Sequence, residues 1–246
     1  MLKLDDVPDF LRGLAERVAV ELWNVARREP TTTRLVLPTY RDGSHRVSEQ
    51  EARSIAQRLV ADSHYYFSIE TPTDGLYKFS GKNDTRPRSA SHDMSLYLSA
   101  EPSSIAAHVE FKQGHKSGAT GIQVIAKDLE KLVGSARHSL WFHCFAKPTH
   151  NELKMLRSFF VPAFDRARAR SLPAAPRVVL AFCAVVEPVA WIAGPVGWTD
   201  VAALIDQFPI VGTPVHDGWS RYVPTRPLEP TTGAVAFEDE GEAMDD

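Results

Sequence analysis

Two neighbouring segments near the middle of the chain alternate like β-strands that bury one face and hold charges on the other. In the segment 105–112, the two-residue period of a strand groups four apolar side chains: Ile105, Ala107, Val109 and Phe111. The opposite face then carries His108, Glu110 and Lys112. At a rise of about 3.3 Å per residue, Glu110 and Lys112 stand roughly 7 Å apart on one sheet surface. Any fold that buries the apolar face of this strand must present both charges at the same place.

The preceding segment, 90–98, divides its side chains in the same way. Its apolar face consists of Met94, Leu96 and Leu98, and its polar face carries Asp93, Ser95 and Tyr97. A short turn over residues 101–104 separates the two segments, which predicts a β-hairpin. In such a hairpin Asp93 can approach Glu110 on the polar side, although alternation defines only the faces and leaves the register open.

Two carboxylates that converge on one point repel each other unless a cation lies between them. Carboxylate oxygens in a hydrated site suit Mg²⁺ or Mn²⁺, which can polarise a phosphate and lower the pKa of a bound water. A lysine two residues beyond the second carboxylate can orient or deprotonate that water and offset charge that develops on the phosphate. Asp93, Glu110 and Lys112 are therefore candidate residues for metal-assisted phosphodiester hydrolysis.

Helical and strand-like periodicities alternate along the rest of the chain. The predicted helices are 8–28, one that begins at Ser48, 122–133, one that begins at Thr149, and 199–208. The predicted strands are 35–37, 64–70, 76–79, 90–98, 105–112, 139–145 and 177–186. Beyond Pro188, the abundance of Pro, Gly and Trp predicts an irregular covering of the core. This order indicates an α/β (α+β) fold with a mixed central sheet flanked by helices.

The pattern of charges on these two predicted strands resembles the motif of the PD-(D/E)xK nuclease superfamily. It consists of Asp93, a gap of sixteen residues and then Glu110-Phe111-Lys112, and a predicted helix follows. The resemblance implies a restriction-endonuclease-like core, in which a helix, three strands, a helix and a strand correspond to residues 48–145. It also implies that Asp93 and Glu110 bind Mg²⁺ (or Mn²⁺) and that Lys112 assists the attacking water.

Members of this superfamily often carry a further metal-site acid on the first core helix. Glu49 is the better candidate here, because it leads the apolar face of the predicted helix. Glu51 fits the capping box that Ser48 opens, and the choice between the two glutamates stays open. The chain departs from the motif at His92, where the family name has a proline. The helix after Lys112 also lacks the glutamine–tyrosine pair of one branch of the superfamily.

The resemblance implies a Mg²⁺-dependent nuclease that acts on nucleic acid, with DNA as the favoured substrate, in phage defence or DNA repair. A protein partner that supplies specificity or ATPase function is a second expectation, and a homodimer is a further alternative. The competing hypothesis is a catalytically inactive subunit with the nuclease fold, which binds nucleic acid or a partner protein in a larger complex. DNA or RNA, single or double strands, and endo- or exonuclease action all stay open.

The predicted boundaries are a single nuclease-like domain over residues 1–223, which includes a C-terminal extension over 146–223, and an acidic flexible tail over 224–246. The last ten residues hold six carboxylates and no base, so the formal net charge changes from −3 to +3 without them. Basic stretches at 78–88 and 166–170 then stand out as candidate surfaces for a polyanion.

The two cysteines, Cys144 and Cys183, lie in apolar runs that predict buried strands. Core thiols, together with an N-terminal segment that lacks the signal-peptide pattern, predict a reducing compartment and hence a cytoplasmic protein. No apolar run reaches the roughly 18 residues of a membrane span, so no membrane partner is expected.

The acidic tail yields the first testable prediction. If residues 237–246 compete with phosphates for a basic surface, their deletion raises the affinity for DNA, most strongly at low salt. Fluorescence anisotropy with labelled DNA, over a series of ionic strengths, measures this effect. Equal affinity of the full and shortened chains at every salt concentration would contradict the competition.

Overall fold

The computed structural model of the protein describes residues 3–29, 34–41, 43–77, 87–114, 119–168, 176–208 and 217–224. Over these residues the helices are α1 (Val7–Ala26), α2 (Glu49–Ala61), α3 (Ala119–Gly134), α4 (His150–Arg168) and α5 (Val201–Asp206). The strands are β1 (Tyr66–Tyr77), β2 (Arg88–Tyr97), β3 (Ile105–Gln113), β4 (His138–Phe145), β5 (Arg177–Ala184), β6 (Val189–Gly197) and β7 (Trp219–Tyr222). Residues 225–246 of the acidic tail and most of the basic stretch 78–88 lie outside the described residues.

All of these strands form one sheet, in which the spatial order follows the chain order from β1 to β7. The first three strands pair antiparallel, β3, β4 and β5 pair parallel, and β6 and β7 return antiparallel. Parallel neighbours need a crossover connection, and α3 and α4 supply the two that the central strands require. The predicted mixed sheet flanked by helices is confirmed.

The sheet separates two apolar cores. α1 and α2 pack on one face, and α3, α4 and α5 pack on the other. β5 shows why both faces must be covered, since Val179 and Ala181 belong to the first core and Leu180 and Phe182 to the second. The predicted burial of both cysteines is also confirmed, because Cys144 and Cys183 are free, buried thiols of the first core. Within the described ranges, the structure contains no helix that is both long and apolar enough to cross a membrane.

The N-terminus of α2 is defined by its cap. The hydroxyl of Ser48 accepts a hydrogen bond from the backbone N–H of Gln50 at 3.3 Å and donates one to the carboxylate of Glu51. A side chain that satisfies an otherwise unpaired amide in this way stabilises the first turn of a helix. Glu51 thus contacts the N-cap residue of α2, which agrees with the capping role predicted for it.

Three predicted strands on the β1 side of the sheet differ from the structure. Residues 35–37 form no strand, and an isolated bridge between Thr39 and His45 is the nearest β-pairing along the chain. The segments 64–70 and 76–79 were expected as two strands, because Pro72 and Gly75 indicate a turn. In the structure β1 (Tyr66–Tyr77) joins the two segments, with a register shift between Pro72 and Leu76 at the turn-like residues. Residues 78 and 79 lie outside the described residues.

The predicted irregular covering after Pro188 is also wrong in part, because β6 and β7 extend the sheet there. The sequence pattern does not predict β6, because the segment contains glycine and proline, which are both rare within strands. Gly194 and Pro195 lie within the register shift of β5 and β6, between the pairs Leu180–Ala193 and Val178–Val196. Such irregularities tolerate both residue types. Pairing with β5, which is buried on both faces, is what makes β6 a strand.

Gly194 is the backbone position in this region where a side chain cannot be accommodated. Its φ is +91°, and a Cβ atom there would lie 2.4 Å from the carbonyl oxygen of Val178. We therefore expect Gly194→Ala to reduce the free energy of unfolding by about 1–3 kcal/mol, as measured by urea denaturation. Gly13→Ala is the matched control: it lies in α1 with open space around its Cβ position, and should stabilise the protein by up to about 1 kcal/mol. Equal effects of the two substitutions would contradict the strain at Gly194.

Candidate functional site

The register of β2 and β3 brings the two motif segments together. Met94 lies opposite Val109 and Ser95 opposite His108, which confirms the predicted hairpin. Beyond this point β2 departs from simple pairing with β3: the carboxylate of Asp93 accepts a hydrogen bond from the backbone N–H of Phe111 at 2.7 Å. Asp93 thus lies alongside β3, next in sequence to the residue that contacts Glu110.

Glu110 lies at the centre of the site and has no exposed surface. Its Oε1 is 2.7 Å from the ammonium nitrogen of Lys131 and 3.0 Å from Nδ1 of His92. Its Oε2 is also buried and has no hydrogen-bond partner among the residues that the structure describes. Burial is the main reason why the pKa of Glu110 is raised well above its usual value, and the neighbouring Asp128 and Asp93 add to the shift.

His92 reaches Glu110 against the simple alternation of β2. A strict two-residue period would place His92 on the apolar side with Met94, yet its ring stacks on His108 with the centroids 3.8 Å apart. His108 in turn is hydrogen bonded to the hydroxyl of Ser95 at 2.7 Å. Burial lowers the pKa of His92 to about 4 and that of His108 to about 2, so both imidazoles are neutral at pH 7. The contact between His92 and Glu110 is therefore not an ion pair.

Lys112 extends from the same face of β3 and meets α3. Its ammonium nitrogen lies 3.0 Å from the carboxylate of Asp128, which is almost fully buried. Burial alone would lower the pKa of Lys112, but the carboxylates of Asp128, Glu110 and Asp93 outweigh it and raise the pKa above its usual value. Lys112 is therefore positively charged at neutral pH in the metal-free protein, which suits electrostatic stabilisation of an anion.

Two residues of α3 that sequence analysis missed complete the site. Asp128 pairs with Lys112 and also with Lys131, whose ammonium lies 2.9 Å from its Oδ1. Burial alone would raise the pKa of Asp128, but Lys112, Lys131 and Lys127 lower it to about 2. A sequence signal for these two residues does exist. Asp128 and Lys131 are charged residues in the same helical turns as the buried Ile125, Leu129 and Leu132, which indicates that they lie close to the core.

Glu49, the first residue of α2, lies near the end of β3. It lines a cleft of about 130 Å³ together with Lys112, Gly114, Val124 and His143. Ser48, the N-cap of α2, holds the start of this helix beside β4, because its carbonyl oxygen accepts a weak hydrogen bond from the thiol of Cys144 at 3.6 Å. The structure thus brings Glu49 and Lys112 to one cleft, and Asp93, Glu110 and Lys112 to one edge of β3.

The carboxylates of the site offer a divalent cation few protein ligands. Within the described parts of the chain, no group of three or more His, Cys, Asp or Glu side chains is arranged to hold a metal ion. Mg²⁺ nevertheless requires only one or two protein carboxylates, because waters and substrate phosphates supply its other oxygen ligands. Glu110 Oε2, buried and without a described partner, is the orphaned oxygen that such an ion would satisfy. Glu110 therefore offers a divalent ion this one oxygen, and the metal-binding roles of Asp93 and Glu110 stay predictions.

Comparison with known proteins adds no relative to this picture. No protein-family model, no curated protein and no solved structure matches the chain. The function must therefore be argued from the site itself.

The buried histidines predict a specific loss of stability in mild acid. In the unfolded chain both titrate near pH 6.5, whereas in the folded protein His92 titrates near 4 and His108 near 2. Their contribution is present above pH 6.5 and is lost as the pH falls from there towards 4, by up to about 1.4 kcal/mol per pH unit for each histidine. Urea denaturation between pH 7 and 4.5 measures this slope.

A double variant, His92→Asn with His108→Asn, isolates the histidine contribution. The raised pKa of Glu110 acts in the opposite direction, because it lets the folded protein take up a proton earlier as the pH falls. The double variant should therefore show a shallower acid slope than the wild type, whereas His64→Asn, at an exposed position, should keep the wild-type slope. Identical slopes in the wild type and the double variant would contradict the assignment.

Proposed function

We propose that this protein is a divalent-metal-dependent nuclease that hydrolyses phosphodiester bonds of nucleic acid. The observation that carries the proposal is the set of charges at one edge of β3. Glu110 and Lys112 extend from the same face of β3, Asp93 accepts a hydrogen bond from the backbone between them, and one buried oxygen of Glu110 has no described partner. Carboxylates that can hold an ion, beside a lysine that can offset negative charge, suit metal-assisted phosphodiester hydrolysis.

The order of elements around this edge supports the same proposal. α2, the three antiparallel strands β1 to β3, the crossover helix α3 and the parallel strand β4 follow each other in the order of a restriction-endonuclease-like core. That core is the finer fold that we propose, beyond the mixed α/β sheet itself. The order also puts the acid of the first core helix, Glu49, beside Lys112, in agreement with the supporting role that the motif implies.

Each residue has a role in the proposed reaction. Mg²⁺ or Mn²⁺, when bound by Asp93 and Glu110, supplies Lewis-acid activation of the phosphate and of a water. Lys112, which is fully charged, would hold the attacking water and the phosphate oxygens in place and offset their developing negative charge. Glu49 borders the same cleft as Lys112 and would hydrogen-bond the ligands that enter it. The neutral His92 fixes one oxygen of Glu110 and thereby orients the other.

The substrate and setting follow from the resemblance of the Asp93/Glu110-Phe111-Lys112 motif to the PD-(D/E)xK superfamily. DNA is the favoured substrate, in phage defence or DNA repair, and the cytoplasm is the expected compartment. A protein partner that supplies specificity or ATPase function, or a second copy of the chain, belongs to the same proposal.

A second candidate function is that of a nuclease-fold subunit without catalysis, which binds nucleic acid or a partner protein. The observation in its favour is that ammonium groups of the protein already pair with the buried carboxylates: Lys131 with Glu110 and Lys112 with Asp128. A scaffold that has lost its metal would be stabilised by such pairs. Metal binding and cleavage separate the two candidates.

Cleavage of labelled single- and double-stranded DNA and RNA tests the proposal directly. We expect activity with Mg²⁺ or Mn²⁺ and loss of activity with EDTA, while Ca²⁺ supports binding better than cleavage. Asp93→Ala and Glu110→Ala should abolish cleavage by removal of a metal ligand. Lys112→Ala should lower kcat by about 10²-fold or more yet retain most of the Mn²⁺ affinity, because lysine is not a ligand.

The matched control is Lys154→Ala, which removes an exposed lysine on α4 and should leave cleavage unchanged. Full activity of Lys112→Ala, with Asp93→Ala inactive, would indicate a different metal chemistry. Absence of cleavage by the wild type on all four substrates, together with retained nucleic-acid binding, would favour the subunit without catalysis.

A further inference from the structure

We propose that Lys131 is an internal cation that occupies the carboxylate cluster in the metal-free protein and competes with the divalent ion for it. This inference rests on the proposed function, and it adds to it a residue that sets the metal affinity of the site. Lys131 lies outside the motif, on α3, and its role follows from its contacts alone.

The ammonium group of Lys131 is held by oxygens from three different elements. It lies 2.7 Å from Oε1 of Glu110 on β3, 2.9 Å from Oδ1 of Asp128 on α3, and 2.7 Å from the backbone carbonyl oxygen of Ser91 on β2. The side chain is only 4% exposed. Two carboxylate oxygens and a carbonyl oxygen around one positive charge form the kind of ligand set that also binds Mg²⁺.

The buried oxygen of Glu110 is the second observation that points to a ligand. Lys131 and His92 contact Oε1 only, so Oε2 remains buried without a partner among the described residues. A site that had lost its metal altogether would be expected to satisfy both oxygens, since an unpaired buried acceptor is costly. Lys131 thus neutralises Glu110 while it leaves one metal-ligating position open.

The ammonium of Lys131 and a divalent ion bound at Glu110 would repel each other. An ammonium within hydrogen-bond distance of Glu110 would lie within a few ångströms of any divalent ion bound to the same carboxylate, in a buried region where screening by solvent and salt is weak. A divalent ion that enters the site therefore binds against the charge of Lys131, and its affinity includes the free energy of that repulsion or of moving the ammonium away. Lys112 differs from Lys131 in this respect, because it pairs with Asp128 and not with Glu110.

Titration of Mn²⁺ into the full chain, measured by calorimetry and by the electron paramagnetic resonance signal of free Mn²⁺, tests this competition. Lys131→Met removes the charge but keeps the length of the side chain, and we expect it to bind Mn²⁺ more tightly than the wild type by about tenfold or more. Lys127→Met is the matched control on the same helix. Its ammonium contacts Asp128 at 3.4 Å but is not placed at Glu110, so a smaller change is expected.

Thermal unfolding provides a readout that is independent of catalysis. Without metal, Lys131→Met leaves Glu110 with a weaker set of partners and should lower the Tm. Mn²⁺ should then raise the Tm of Lys131→Met more than that of the wild type, because a ligand that binds more tightly stabilises the folded state more. Lys131→Arg keeps the charge and should behave like the wild type in both measurements.

A second pair of variants keeps the inference testable if Lys131→Met does not fold. Asp128→Asn and the double variant Asp128→Asn with Lys131→Met differ by Lys131 alone, and the double variant removes one charge of each sign. The double variant should bind Mn²⁺ more tightly than Asp128→Asn, by a factor similar to that seen in the wild-type background.

The outcomes separate this inference from the proposed function. Tighter Mn²⁺ binding by Lys131→Met than by the wild type supports the inference. Binding by Lys131→Met with no detectable binding by the wild type supports it as well, and means that Lys131 keeps the protein in its metal-free form. Binding by the wild type with unchanged or weaker binding by both Lys131 variants that remove the charge would overturn the inference and leave the nuclease proposal intact. Failure of every variant to bind Mn²⁺ would overturn both.

Discussion

The burial of Glu110 is the constraint on which the rest of the site depends. A carboxylate without exposed surface must be compensated by partners inside the protein, since an unpaired buried charge costs several kcal/mol. His92 from β2 and Lys131 from α3 are those partners, at 3.0 and 2.7 Å. Their contacts fix two features of the fold at once: where α3 packs along β3, and why β2 departs from simple alternation beside Asp93.

β3 is also the strand at which the sheet changes from antiparallel to parallel pairing. The change requires a crossover helix, and α3 therefore leaves the carboxyl end of β3 and returns across the face that carries the charges. α2 begins at the same edge on the other face, which brings Glu49 to the cleft that Lys112 lines. The change of pairing at β3 thus brings side chains from two helices and two strands close together at one end of this strand.

The ion pairs in this cluster are unlike those that stabilise a protein surface. Buried pairs such as Lys112–Asp128 and Lys131–Glu110 contribute little net stability compared with apolar residues of similar volume, because both partners lose their hydration. The neighbouring histidines add a further dependence on pH. A cluster of this kind in an otherwise apolar interior is more simply explained by function than by stability, and it is common to the catalytic and the binding proposals.

Alternation and order along the chain were enough to predict the helices that flank a mixed sheet, the hairpin of β2 and β3, and the shared face of Glu110 and Lys112. Those features are local, because they depend on the two-residue and 3.6-residue periods of single segments. Tertiary structure decided the rest. β6 became a strand only through pairing with β5, His92 reached Glu110 only because β2 is irregular at Asp93, and Asp128 and Lys131 joined the site only when α3 packed across β3. These contacts join residues far apart in the chain, whose mutual distance no local period specifies.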